Sequence, residues 1–172
     1  MNKTLKNKSR NQASKTQRQE EYTLRIPSQT DNLELIRGFV GKVAQKVGFT
    51  SEDVGKIELA CDEACTNVIK HAYGVSASQN TLDVVIKIDY QKFILIVTDH
   101  GKSFDPESVK LPKPKEYIAE LKVGGLGIYL MKTLMDDVIY DMKPGKQNQV
   151  TMVKYFIDKK NSKVRPAEKD NK

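Results

Sequence analysis

The period of the apolar positions changes several times along the chain, and each change marks an element. Tyr22, Leu24 and Ile26 alternate with Thr23 and Arg25 up to Pro27, the pattern of an edge strand. From Asp31 to Gly48 the period lengthens, and Leu33, Ile36, Val40, Val43 and Val47 recur at helical spacing. Thr50 and Ser51 are N-cap candidates for a second helix, which Gly74 ends. On a wheel of roughly 100° per residue, Ile57, Ala60, Cys61, Ala64 and Val68 form its apolar stripe. Period two returns between Thr81 and Tyr90, where Leu82, Val84, Ile86 and Ile88 predict a half-buried strand. Asp89 to Lys92 is the turn, and the continuous apolar run Phe93 to Val97 predicts a central strand. Residues 100 to 124 have no period and contain Pro106, Pro112 and Pro114, although Glu116 to Leu121 is a candidate helical turn. Gly125 to Met135 then reads as a helix, Val138 to Met142 as a short strand and Val150 to Ile157 as the last strand. Strands joined by tight turns, with helices collected in pairs, predict an α+β fold. The expected architecture is a two-layer α/β sandwich, with a mixed, mostly antiparallel sheet covered by helices on one face.

Length and charge refine this picture. A chain of 172 residues has the size of one domain with a substantial core. The formal net charge of +7 is concentrated at the ends: residues 1–20 carry +5, residues 159–172 carry +4, and the middle is left at −2. Both ends are rich in Lys, Asn, Ser and Gln and poor in apolar residues, so they are expected to be disordered basic tails flanking a domain over 21–158. No aromatic residues are interleaved with the basic ones as a nucleic-acid platform requires, so direct nucleic-acid binding is not expected. No run of eighteen apolar residues suggests a membrane span, and no apolar segment follows the basic N-terminus as in a secretory signal. Cys61 and Cys65 lie one turn apart on one predicted helix, poorly placed for a disulfide and without companions for a zinc site. They read as buried thiols, in keeping with a cytoplasmic protein.

Candidate chemistry concentrates on the second helix. Glu63, Asn67 and His71 follow one another at intervals of four and share one side of it. Glu63 and Asn67 fall at the edge of the apolar stripe, where a helix can line a cleft, while Asp62 falls on the solvent side. A second candidate is Val97 to Pro106. Asp99 ends the central strand, where its carboxylate can accept a hydrogen bond from an amino group such as that of adenine. Gly101, lacking a Cβ, lets a flat ring approach. The third is Gly124-Gly125-Leu126-Gly127, which opens a helix as phosphate-binding loops do. The long stretch between the last two candidates reads as a lid. Taken alone, the Asp-X-Gly is more often a turn, and the glycines more often serve capping or packing.

In this order and spacing the three stretches resemble the N, G1 and G2 boxes of the GHKL ATPase superfamily, and Gln147 to Thr151 resembles its final box. Together with GGLGIYLMKTLMDDV, they are similar to the bacterial anti-sigma factor serine kinases. The resemblance implies a cytoplasmic serine/threonine-protein kinase that binds ATP with Mg²⁺. Glu63 would be the general base and Asn67 the Mg²⁺ ligand. Asp99 would read adenine, Gly101 and Ser103 would shape the pocket, and Gly124, Gly125, Leu126 and Gly127 would cradle phosphate. Thr151 would supply a hydroxyl, and Lys70 is a candidate phosphate contact, although taken alone a lysine there is more often an exposed surface residue. His71 matches a position often His in this group, and is expected to pack and hydrogen-bond. Ser103 departs from the pattern, which commonly has a second Gly there, and Lys122 and Val123 precede the glycines, so details of the lid do not transfer. The partners implied are an anti-anti-sigma protein with a STAS domain, a sigma factor and a second copy of the chain. A nucleotide-gated binding module that transfers nothing is the alternative, and Glu63 speaks against it. No phospho-accepting helix precedes residue 21 and no transducer domain follows the last strand, so histidine-kinase and gyrase-type readings are not expected.

Overall fold

The computed structural model describes residues 20–72, 80–103, 105, 106, 108 and 126–156. Five strands, β1 (Glu20–Pro27), β2 (Thr81–Ile88), β3 (Lys92–Asp99), β4 (Asp137–Lys143) and β5 (Gln147–Tyr155), form one sheet in the order β1-β2-β3-β5-β4. Every pairing in it is antiparallel. Three helices, α1 (Leu33–Lys46), α2 (Ser51–Asn67) and α3 (Leu126–Leu134), cover one face, with α2 between the other two and over β3.

The layers follow from the alternation. Leu82, Val84, Ile86 and Ile88 of β2 and Phe93, Leu95 and Val97 of β3 are all buried beneath the helices. Ile36, Val40 and Val43 from α1, Ile57, Cys61 and Ala64 from α2, and Ile128 and Met131 from α3 meet them. Phe49, between α1 and α2, packs edge-on to Phe93 with centroids 5.7 Å apart and stacks on Phe156 at 4.9 Å. The helix starts are locally specified. Thr50 caps α2, its hydroxyl oxygen accepting from the Asp53 N–H at 3.2 Å. Before α1, residues Thr30–Asn32 form a single 3₁₀ turn, so the helix proper begins at Leu33 rather than at Asp31.

Three local expectations change. The second helix does not remain α-helical to its end: after Asn67 the turn widens into a π-helix over Val68–Ala72. Val68 and Ile69 are both buried, continuing the pairs Ala60/Cys61 and Ala64/Cys65. The last strand starts at Gln147, earlier than Val150, because its inward positions begin with a polar residue, Asn148, that breaks the hydrophobic pattern. Asp62 is not on the solvent side. It points along α1, 17 % exposed, and pairs with the Arg37 guanidinium at 2.5 Å. The expected disordered tails, the helix end at Gly74, the His71 side chain, the candidate turn over 116–121 and most of the lid over 100–124 lie outside the described residues.

Candidate functional site

The pleat determines which polar residues reach the helices. Asp99 is in phase with Phe93, Leu95 and Val97, so the core face of β3 ends in a carboxylate. Its cross-strand partner on β5 is Asn148, in phase with Val150 and Met152. Both are almost fully buried, Asp99 at 5 % exposure and Asn148 at 4 %. Burial of two polar side chains is tolerable only if their hydrogen bonds are made, and they are. The Asp99 carboxylate Oδ1 accepts from the Gly101 N–H at 2.7 Å and from Asn148 Nδ2 at 3.0 Å. Asn148 Nδ2 also donates to the Gly101 carbonyl at 3.1 Å, and the Ser103 hydroxyl donates to Asn148 Oδ1.

Above this network a cleft of about 220 Å³ opens between the sheet and the helices. Asn67 at the end of α2 and Val68 at the start of the π-turn line one side, Met131 of α3 the roof, and Tyr140, Met142 and Val150 the floor. Asp99, Lys102, Ser103 and Asn148 close its polar end. Burial pushes the Tyr140 phenol up to about 12.

The start of α3 closes the other side. A Cβ added at Gly127 would lie 2.6 Å from Glu63 Oε2, 3.5 Å from Asn67 Nδ2 and 3.6 Å from Asn67 Oδ1. Hence Glu63 and Asn67 stand side by side against the first turn of α3, and a side chain at 127 would displace the end of Glu63. Glu63 lies beside the cleft rather than in its lining. Among the described residues Asn67 makes no side-chain hydrogen bond, so its amide oxygen is available to a ligand.

Other expected site residues are placed differently. Leu126 is exposed on the first turn of α3. Lys70 is exposed on the π-helical turn and does not line the cleft. Thr151 faces away from the helices: it follows Val150 by one residue, which in a strand means the opposite face, and Gln149 donates to its hydroxyl there at 3.1 Å. Its place in the cleft is taken by Asn148, which the sequence reading missed. The signal available was its spacing of two from Val150 and Met152, and the polar Gln147-Asn148-Gln149 run concealed it. Gly124 and Gly125 lie outside the described residues.

No group of three or more His, Cys, Asp or Glu side chains able to hold a metal occurs among the described residues. A Mg²⁺ ion bound mostly by phosphate and water needs only one or two protein oxygens, so the single Asn67 amide is a donor set that fits it. Cys61 and Cys65 are free and buried with sulfurs 3.9 Å apart. The hydrogen bond to Cys65, and then burial, hold the Cys61 thiol well above its usual range, and both side chains are core packing. No helix among the described residues is long and apolar enough to cross a membrane.

The profile of the histidine kinase-like ATPase domain matches residues 26–154, from the end of β1 through nearly all of β5. The chain belongs to that family. Within it, the chain is 34 % identical over 137 residues to the serine-protein kinase RsbW of Staphylococcus aureus, covering 77 % of this chain and 85 % of the relative. It is 32 % identical over 137 residues to RsbW of Bacillus velezensis, covering 77 % and 84 %. Among solved structures, the SiaB–SiaC complex of Pseudomonas aeruginosa contains a chain superposing with a TM-score of 0.58 at 12 % identity, over 77 % of this chain and 88 % of that one. A chain with the RsbU and RsbW domains of a Mycobacterium tuberculosis protein superposes with a TM-score of 0.57 at 13 % identity, over 78 % of this chain and 31 % of that one. At such identities the two structures establish the α+β fold, a sheet with helices on one face.

Proposed function

We propose that the protein is a serine/threonine-protein kinase of the anti-sigma type, using Mg²⁺–ATP to phosphorylate a Ser or Thr of an anti-anti-sigma partner with a STAS domain. Family membership and the serine-protein kinase relatives support the kinase activity. The observation that carries the site is the pair Glu63 and Asn67, side by side against Gly127. Asp99 at the buried end of the cleft accepts from the adenine amino group. Asn67 would give its side-chain oxygen to Mg²⁺, whose charge would offset that of the phosphates. Backbone N–H groups at the start of α3 hold phosphate, with Gly124 and Gly125 contributing. Glu63 takes the proton of the attacking hydroxyl as its oxygen bonds to the γ-phosphorus, the bond to the β–γ bridging oxygen breaks and ADP leaves. Few side chains suffice, because phosphoryl transfer depends mainly on positioning and charge neutralisation. In the pathway the resemblance implies, the unphosphorylated partner releases a sigma factor that the kinase, as a homodimer, otherwise sequesters.

Labelled-phosphate transfer to a STAS-domain partner, recovered by pull-down with and without ATP, tests this reading. Glu63→Gln is expected to bind Mg²⁺–ATP normally while transfer falls by roughly 10²–10⁴-fold, the usual contribution of a positioned base. Asn67→Ala is expected to lose both nucleotide affinity and transfer. A wild-type protein that binds ATP and partner but transfers nothing would instead be a nucleotide-gated binding module.

A further inference from the structure

Asp99 by itself does not explain a preference for adenine. A free carboxylate has two acceptor oxygens, and guanine, with N1–H and N2–H₂ side by side, suits both of them at once. Adenine offers only one amino group on the corresponding edge. A site that favours adenine therefore benefits from a carboxylate with one oxygen already occupied.

We infer that Asn148 is the positioning residue that makes Asp99 a single-oxygen acceptor and so selects ATP over GTP. This rests on the nucleotide reading above. The Asn148 amide donates to Asp99 Oδ1 at 3.0 Å, and the Gly101 N–H donates to the same oxygen at 2.7 Å. Oδ1 thus holds two hydrogen bonds, while among the described residues Oδ2 holds none. The orientation of the amide is not arbitrary. The Asp99 carboxylate and the Gly101 carbonyl can only accept, so Nδ2 must face them, and Oδ1 of Asn148 is left toward Ser103. Ser103, where the family pattern commonly has Gly, supplies the hydroxyl proton that holds the amide in that orientation. The chain Ser103–Asn148–Asp99 therefore runs from a half-buried hydroxyl to a carboxylate 5 % exposed, each donor fixing the next acceptor.

The test is calorimetric titration of Mg²⁺–ATP and Mg²⁺–GTP into wild type, Asn148→Leu and Ser103→Ala, with thermal melts of each protein. Asn148→Leu keeps the side-chain volume but removes one of the two hydrogen bonds on Asp99 Oδ1, leaving that of the Gly101 N–H and opening a second acceptor position to a ligand. It is expected to lower the ATP-to-GTP affinity ratio by about 10-fold, the scale of one mispaired buried polar group. Ser103→Ala leaves the amide oriented by its two acceptors but no longer anchored at Oδ1, and is expected to lower the ratio in the same direction, by less. Should Asn148→Leu fail to melt cooperatively, Ser103→Ala decides. A merely structural role for Asn148 would weaken both nucleotides equally, and an unchanged ratio in a folded variant overturns the inference. Wild type binding GTP as tightly as ATP also overturns it while leaving nucleotide binding intact. Wild type binding neither nucleotide overturns the proposed function itself.

Discussion

Glu63 and Asp62 are adjacent carboxylates with different surroundings. Glu63 lies against the first turn of α3, whereas Asp62 lies against α1 and pairs with Arg37 through Nε at 2.7 Å. Asp62→Asn is therefore the control for Glu63→Gln: it weakens one half-exposed ion pair, worth about 0–1 kcal/mol, and leaves the base in position. Phosphate transfer by Asp62→Asn as low as by Glu63→Gln would reverse the assignment. Asp99 gives a second residue-level prediction. Asp99→Ala removes the acceptor for the adenine amino group and strands the Asn148 amide. ATP affinity is expected to fall by about 1–3 kcal/mol, the range for a buried polar group left unpaired. Calorimetry finding equal ATP affinity in wild type and variant would remove Asp99 from the site.

At the scale of elements, the meeting of α2 and α3 is the sensitive joint. Gly127 is on the first turn of α3, and a methyl group there would meet the end of the Glu63 side chain at 2.6 Å. The carboxylate is flexible and can turn away, so the fold has no reason to suffer. Ala also favours the helix over Gly by about 1 kcal/mol. Gly127→Ala is thus expected to melt no lower than wild type while phosphate transfer falls by roughly 10- to 100-fold, as a misplaced catalytic group does. Unchanged transfer would separate Glu63 from the chemistry. The outer face of the sheet supplies a contrasting joint. Arg25 on β1 clasps Asp83 on β2 with two bonds of 2.6 and 2.8 Å. Its hydrogen bond and charge hold the Asp83 carboxyl below the usual carboxylate range, but the guanidinium is fully in water and the pair is a surface feature.

For the molecule as a whole, pH and chain length are the informative variables. The Tyr140 phenol has a usual pKa of 10.0 and is pushed up to about 12 by burial in the cleft floor. A raised folded-state value stabilises fully below the unfolded pKa, and this contribution is lost as pH climbs through the folded one. Between pH 10 and about 12 the wild type is therefore expected to lose more stability than Tyr140→Phe. Parallel urea-unfolding curves for the two proteins across that range would show that the phenol is not linked to folding. Truncation tests the basic ends. Deleting residues 1–18 and 161–172 keeps β1 and the stack of Phe156 on Phe49, so melting temperature and ATP affinity are expected to stay unchanged. A steep salt-dependent loss of partner affinity would make the ends electrostatic arms instead.

The sequence alone determined the order of elements, the apolar stripe of α2 and the candidate residues Glu63, Asn67, Asp99 and Gly127, because period and motif spacing are local properties of a chain. It also carried the fold class, since alternating strands and paired helices have few ways to bury their apolar faces together. What required the tertiary structure was the direction of particular side chains. Asp62 fell on the wrong side of the wheel because a neighbouring helix, invisible in a single-helix projection, lies along it with Arg37 ready. Thr151 and Asn148 differ by an odd number of residues, so strand parity sends them to opposite faces. Only the pairing of Asp99 with Asn148 across β3 and β5 fixed which of the two meets the carboxylate, because such pairing joins residues forty-nine positions apart.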